Sequence, residues 1–341
     1  LFSDVVLRPL FPEEELERRR KELLTELMQW HDEPRVIASV MFGDAVYGND
    51  HPYGRPSIGN EKSIRGMKIE DVRAFYKKYF SPQNALIIVV GDVTEKIIKN
   101  KFEKVFGKWK GDKVETPPFP KIEQIKERKI YLIDKPGAPQ SEIRIGRVGS
   151  ARLNDDYYAL LVANTILGGS FSSRLNQNLR EQHGYTYGAS SRFDFRLYPG
   201  PFMAGSAVQT VITDSAIVEF MKELERIREP VSDEELTRAK NYITLRYPES
   251  FQTIAQIASK LIELELFNLP DDYFTKFVEK ILAVTKEDVQ RVAKKYIDPE
   301  NIVIVIVGDK NQIEQKIQAL NLGPVINKTI PDVLGPMPVL E

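Results

Sequence analysis

Few residues in this chain of 341 residues could do chemistry. The three histidines, His31, His51 and His183, are far apart, none has a second imidazole at helical spacing, and cysteine is absent. The lack of cysteine removes thiolate zinc sites, iron–sulfur clusters, disulfide frameworks and cysteine nucleophiles. Glu22 and Glu26 stand four apart in RRRKELLTELMQ, on one face of a helix whose apolar side is Leu23, Leu24 and Leu27. On spacing alone Glu26 is an exposed helix glutamate. Arg180 and Tyr187 are seven apart. Arg180 falls at the end of a helix begun by Ser172 and Ser173, where a cation suits the dipole, Gly184 permits a turn, and Tyr187 opens a strand. By themselves these two read as an arginine capping carbonyls and a half-buried tyrosine. His31, beside Asp32 and Glu33, reads as a helix-end residue, His51 in HPYG as structural, and His183 as a surface turn residue.

Other segments exclude functions. Gly168-Gly169-Ser170 lacks the lysine and preceding strand of a phosphate loop and breaks two helices apart. The run Arg18–Lys21 shares its helix with Glu13–Glu15 and Glu17, which makes a solvated mixed-charge face rather than a nucleic-acid contact. Lys+Arg 48 against Asp+Glu 49 leaves a net charge of −1, so no global field favours nucleic acid or an anionic membrane. The longest aliphatic runs, Ala85–Val90 and Ile302–Val307, are far short of the ~20 residues of a membrane span. Both read as buried strands. No signal peptide is visible in a chain that opens in mid-element, and localisation stays open between cytoplasm and periplasm.

The elements that must position these residues repeat. EDVRAFYKKYFSPQNALIIVVGD (Glu70–Asp92) is echoed by EDVQRVAKKYIDPENIVIVIVGD (Glu287–Asp309), offset by 217 residues. A second echo, Phe11–Leu23 with Val231–Ile243, lies at offset 220. Each first echo is an amphipathic helix, a turn opened by Ser81-Pro82 or Asp298-Pro299, and a strand buried on both faces. The offset indicates two homologous α+β domains, each a mostly antiparallel sheet covered by helices on one face. The expected organisation is the C-terminal part of a first domain (1–115), a linker (116–128), a complete second domain (129–321) and a Pro-rich tail (322–341), extended or packed as an arm. The second copy starts near Lys129, so the first would start about 90 residues before Leu1 and is expected to be incomplete. Within the second copy the pattern predicts strands at Lys129–Asp134, Glu142–Val148, Tyr185–Arg196, Pro201–Gln209 and Ile302–Val307. It also predicts helices at Asp156–Leu167 and on to Gln182, then five more up to Tyr296.

Three motifs together, SSRLNQNLREQHGYTYGASS (Ser172–Ser191), HPYGRPSIG (His51–Gly59) and the paired KKY…P.N…VVGD endings, resemble the pitrilysin/insulinase family of zinc peptidases. The likeness runs through the whole chain and is nearest to small bacterial members and the mitochondrial processing peptidase. It implies a half-clamshell of two α+β domains that closes with a like half around a chamber for peptides or unfolded polypeptides. It implies one zinc held by H-x-x-E-H and a later glutamate, with the fourth position left to water. No H-x-x-E-H occurs here; its place in the second copy is LLVAN (Leu160–Asn164), and in the first it would precede Leu1. Glu26 matches the later metal-binding glutamate. Arg180 and Tyr187 match the pair that binds substrate backbone and stabilises the developing oxyanion. The resemblance therefore implies a zinc metallopeptidase, inactive alone and with zinc weak or absent, working as a homodimer or with a related subunit. The alternatives are a non-catalytic Arg/Tyr subunit of a heterodimeric peptidase and a structural core subunit.

Overall fold

The computed structural model describes residues 1–340. Residues 1–128 form helices α1 (Phe2–Leu7), α2 (Glu13–Trp30), α3 (Pro34–Tyr47), α4 (Glu61–Gly66), α5 (Ile69–Tyr79) and α6 (Glu95–Phe106), with no strand among them. The strands follow: β1 (Lys129–Asp134), β2 (Gln140–Val148), β3 (Ser190–Phe193), β4 (Pro201–Gln209), β5 (Val303–Gly308) and β6 (Val325–Lys328). The remaining helices are α7 (Tyr157–Asn164), α8 (Thr213–Arg226), α9 (Asp233–Arg246), α10 (Ile254–Leu266), α11 (Tyr273–Ala283), α12 (Lys286–Tyr296), α13 (Lys310–Ala319) and α14 (Ile330–Leu334). The six strands make one mixed sheet in the order β3-β4-β2-β5-β1-β6. β1 pairs parallel with β5 and β6, and the other pairings are antiparallel. The α+β class expected from the sequence is what the structure shows.

The repeat explains why one copy is buried and the other is not. α12 is started by a capping box between Thr285 and Asp288 and buries Val289, Val292, Ala293 and Tyr296, the spacing of one helix face. β5 follows, with β2 and β1 on its two edges, and all six of its residues are buried. α5 repeats the helix pattern but buries only Ile69. Ala85–Val90, expected as a buried strand, is extended without ladder partners: Leu86 is 60% and Ile87 43% exposed. The same apolar pattern meets no neighbouring strands here, so nothing removes it from water.

The sheet was expected to be covered on one face and is covered on both. Helices α7, α8, α9, α11, α12 and α13 bury one face, around Ile143, Ile145, Leu160, Phe202, Phe220 and Ile304. The other is closed by α3, whose Ile37, Ala38, Met41, Phe42 and Val46 pack on Ile133, Val148, Val303, Val305 and Val307. At Gly146 a Cβ would come within 2.6 Å of Phe42 Cζ, so α3 sits close because that position has no side chain. The Pro-rich tail is more than an arm. Val325–Lys328 adds the edge strand beside β1, and Ile330, Val333 and Leu334 pack with α3. In the segment before β1, Phe119 stacks on Tyr198 at 3.9 Å, with Tyr53 and the buried His51 edge-on to it. His51 Nδ1 accepts the Tyr53 N–H at 3.0 Å, a structural use of the ring.

Two further expectations need correction. Arg20, read as part of a solvated face, donates to the Arg65 and Met67 carbonyls at 2.9 and 2.7 Å and so caps the end of α4. The helix expected over Asp156–Leu167 and its successor to Gln182 widen into π-helical segments, Thr165–Gly169 and Asn176–Gln182.

Candidate functional site

The second π segment carries Arg180. Its end is set by long-reaching backbone bonds: the His183 N–H reaches Asn178 O at 3.1 Å and the Tyr185 N–H reaches Leu179 O at 2.8 Å. Gly184 closes the turn at φ +64, a conformation that favours a residue without Cβ. Such wide helical turns are frequent at functional sites. The strand expected over Tyr185–Arg196 is only β3, Ser190–Phe193. Side chains hold residues 186–189 off the ladder: Asn176 Oδ1 accepts the Ala189 N–H at 3.0 Å, and Ser206 Oγ donates to Gly188 O at 2.9 Å. Tyr187 therefore precedes its strand rather than opening it.

From below, α8 fixes this turn. Asn178 Nδ2 donates to Glu219 at 2.7 Å and to the buried Glu223 at 2.9 Å. Burial pushes the Glu219 carboxyl up, but donation from Asn178 and Lys222 outweighs it and holds the group below its usual range. Arg174 forks onto Glu235 at 2.7 and 3.0 Å and ties the start of the segment to α9.

On this support Arg180 and Tyr187 stand either side of the Gly184 turn. The Arg180 guanidinium lies over the Phe171 ring, 4.3 Å from its centroid. Its buried Nη1 has no hydrogen-bond acceptor; Glu181 is 3.5 Å away, in reach of its charge only. A buried donor without an acceptor is uncommon and suits an incoming carbonyl. Tyr187 is 94% exposed, so its hydroxyl is open to a ligand. Phe171 was not singled out in the sequence; the signal was an aromatic directly after the Gly-Gly-Ser break, within reach of the same helix. His183 is an exposed turn residue, 3.9 Å from Glu219.

Glu26 lies on the exposed face of α2. Among the described residues no group of three or more His, Cys, Asp or Glu stands ready for a metal, and no hydrogen bond or salt bridge joins Glu26 to Arg180 or Tyr187. A zinc site needs three or four convergent donors, which the residues present do not provide. No helix among the described residues is long and apolar enough to cross a membrane.

A family model described as the peptidase M16 inactive domain matches residues 66–243, more than half of the chain. The chain belongs to that family. The M16 match bears out the pitrilysin/insulinase resemblance and encloses both Arg180 and Tyr187. Among curated relatives, the "uncharacterized zinc protease YmxG" of Bacillus subtilis is 30% identical over 195 residues, 56% of this chain and 45% of that protein. The "uncharacterized zinc protease SCO5738" of Streptomyces coelicolor is 24% identical over 314 residues, 90% of this chain and 68% of that protein. The chain thus spans less than half of YmxG. Among solved structures, the peptidase M16 inactive domain from Pseudomonas fluorescens superposes with a TM-score of 0.83 at 26% identity, covering 90% of this chain and 73% of that one.

Proposed function

We propose that this M16 chain is the substrate-gripping part of a zinc endopeptidase that acts on peptides or unfolded polypeptides. Arg180 and Tyr187 hold the backbone of the extended substrate. The observation that carries this reading is the arrangement around Gly184: a guanidinium with an acceptor-free buried N–H and an open phenol, both mounted on a turn braced by Asn176, Asn178 and α8. A guanidinium N–H that lacks an acceptor and a phenol open to solvent can both donate to a carbonyl oxygen, and they bind it more strongly as it gains charge. The names of the relatives support the zinc peptidase class.

Zinc would supply an activated water to such a reaction. Glu26 without companion donors cannot hold the ion, so this chain's own part is binding and orientation. The ion's other ligands would come from a related subunit with which the chain dimerises. The test is titration of a labelled unfolded protein into the chain. Saturable binding that Arg180→Ala and Tyr187→Phe weaken is the expected result. Stoichiometric zinc and peptide cleavage by the chain alone would overturn its assignment as a gripping part.

A further inference from the structure

On the α3 side of the sheet Arg144 and Arg192 project from the same face. Arg144 projects from β2 away from Ile143 and Ile145, which face the helical layer, and it is 6% exposed. Its partner across the ladder is Gly205 in β4, and Gly205 in turn faces Ser190 in β3. A Cβ at Gly205 would stand 3.1 Å from Arg144 Nη1 and 3.2 Å from its Cδ. The side chain of Arg144 therefore lies across β4 at that strand's one glycine and aims at β3. One row further, Arg192 pairs with Met203 and faces the same side, because its neighbours Ser191 and Phe193 are buried on the other. Arg35, exposed in the first turn of α3, is near enough for its charge to act on Arg144. Burial lowers the proton affinity of Arg144, and the nearby charges of Arg35 and Arg192 lower it further, against the pull of Glu142.

Two of these arginines are left without an ion pair. Glu142 pairs with Arg144 Nη2, while Nη1 is taken by the Ile143 carbonyl at 2.9 Å. Arg144 Nε is buried with no acceptor. Arg35 and Arg192 are exposed and have no acidic partner among the described residues. The neighbouring positions of the open face, Ser190, Met203, Gly205 and Ala207, carry no charge. Two exposed arginines without an acidic partner, beside the buried Arg144–Glu142 pair, attract a further anion, and arginine forks match a carboxylate. β3 begins three residues after Tyr187, so the segment that carries Tyr187 runs directly into the strand that carries Arg192.

We propose that Arg35, Arg144 and Arg192 form a carboxylate-binding subsite, where an acidic group of an extended polypeptide docks beside Arg180 and Tyr187. It rests on the reading of that pair as polypeptide-binding. Arg144 is the fixed floor, held by Glu142 and the Ile143 carbonyl, and the exposed arginines close on the incoming group. The subsite selects among sequences more than it adds raw affinity.

The experiment uses extended peptides labelled with tetramethylrhodamine and C-terminally amidated, one carrying glutamates and the other glutamines at the same positions. A third peptide has glutamines and a free C-terminus. Anisotropy should show the glutamate peptide binding about tenfold more tightly than its glutamine twin, the scale of a charged hydrogen-bonded pair. The preference should vanish in the Arg35→Gln/Arg192→Gln double variant and at about 1 M salt, where screening extends over only ~3 Å. Both residues are exposed, so an unchanged melting temperature confirms that the variant is folded. Preference for the free C-terminus instead assigns the carboxylate to the chain end and upholds the subsite. Equal binding of all three peptides overturns the subsite and leaves the gripping pair standing. Binding of none overturns both.

Discussion

The guanidinium of Arg180 rests over the ring of Phe171, 4.3 Å from its centroid, while that ring is 65% exposed. Such a contact contributes about 0.5–1 kcal/mol and fixes the direction of the cation. Phe171→Ala is expected to weaken binding of an unfolded polypeptide about two- to fivefold. The melting temperature should not move, since no core contact is lost. Phe171→Tyr should restore affinity. Titration and melting of the three proteins together check this, and full affinity in Phe171→Ala would refute it.

Close approach of α3 to the sheet depends on Gly146. A Cβ there would lie 2.1 Å from the Phe202 carbonyl oxygen and 2.6 Å from Phe42 Cζ, and the carbonyl belongs to the facing strand and cannot rotate away. Gly146→Ala is expected to destabilise the chain by about 1–3 kcal/mol. Urea unfolding should show a lower midpoint at unchanged slope. An unchanged midpoint would mean that α3 can shift at no cost.

Acid should unfold this chain through the buried Asp156 and the half-buried Glu235. Burial pushes Asp156 up, but donation from Lys295 at 2.9 Å, from Arg291 and from Tyr296 at 2.9 Å outweighs it, and the group is held at about 2. Glu235 is likewise raised by burial, yet Arg174 and Ser232 bring it to about 2. Both values lie below those of an unfolded chain, about 4. The stability they add is therefore whole above about pH 4 and is lost as pH falls toward 2. For Asp156 that is about 2 kcal/mol. Asp156→Asn should lower stability at neutral pH and flatten the acid slope, measured by circular dichroism at stepped pH; an unchanged slope would count against it.

Leu86 and Ile87 border a cleft of about 340 Å³ lined also by Phe2, Phe75, Phe106 and Trp109. The 341-residue chain should bind an apolar fluorescent dye there, with energy transfer from Trp109. Leu86→Lys/Ile87→Lys should reduce dye binding without lowering the melting temperature, because neither residue is buried. Dye binding equal to that of the parent would place the apolar site elsewhere.

Local pattern made much of the second half legible. β1 and β4 have their expected bounds, β5 begins one residue later than expected, and α12 starts and stops where its capping box and lysines indicate. What pattern could not carry was the identity of neighbours. Ala85–Val90 and Val303–Val307 read alike, and only the strands beside them make one core and leave the other in water. The π widening before Gly184 was hidden because it alters hydrogen-bond reach without altering apolar spacing. Arg144 over Gly205 depends on a ladder between residues 61 apart, which no local window contains. Arg180 and Tyr187 were legible by motif, whereas the ring that orients Arg180 was not.

The sheet built from residues 129–308 is closed on one face by residues 34–47 and at one edge by residues 325–328, and α14 then packs on α3. Synthesis therefore imposes an order. When β5 emerges from a ribosome, the edge of β1 still lacks its mate, and α3 has waited through some 250 residues of translation for the surface it covers. Contacts of such long separation fold slowly. The nascent chain must carry an uncovered α3 and an open β1 edge until residue 334 is free, the interval in which a chaperone or a premature partner has most to bind.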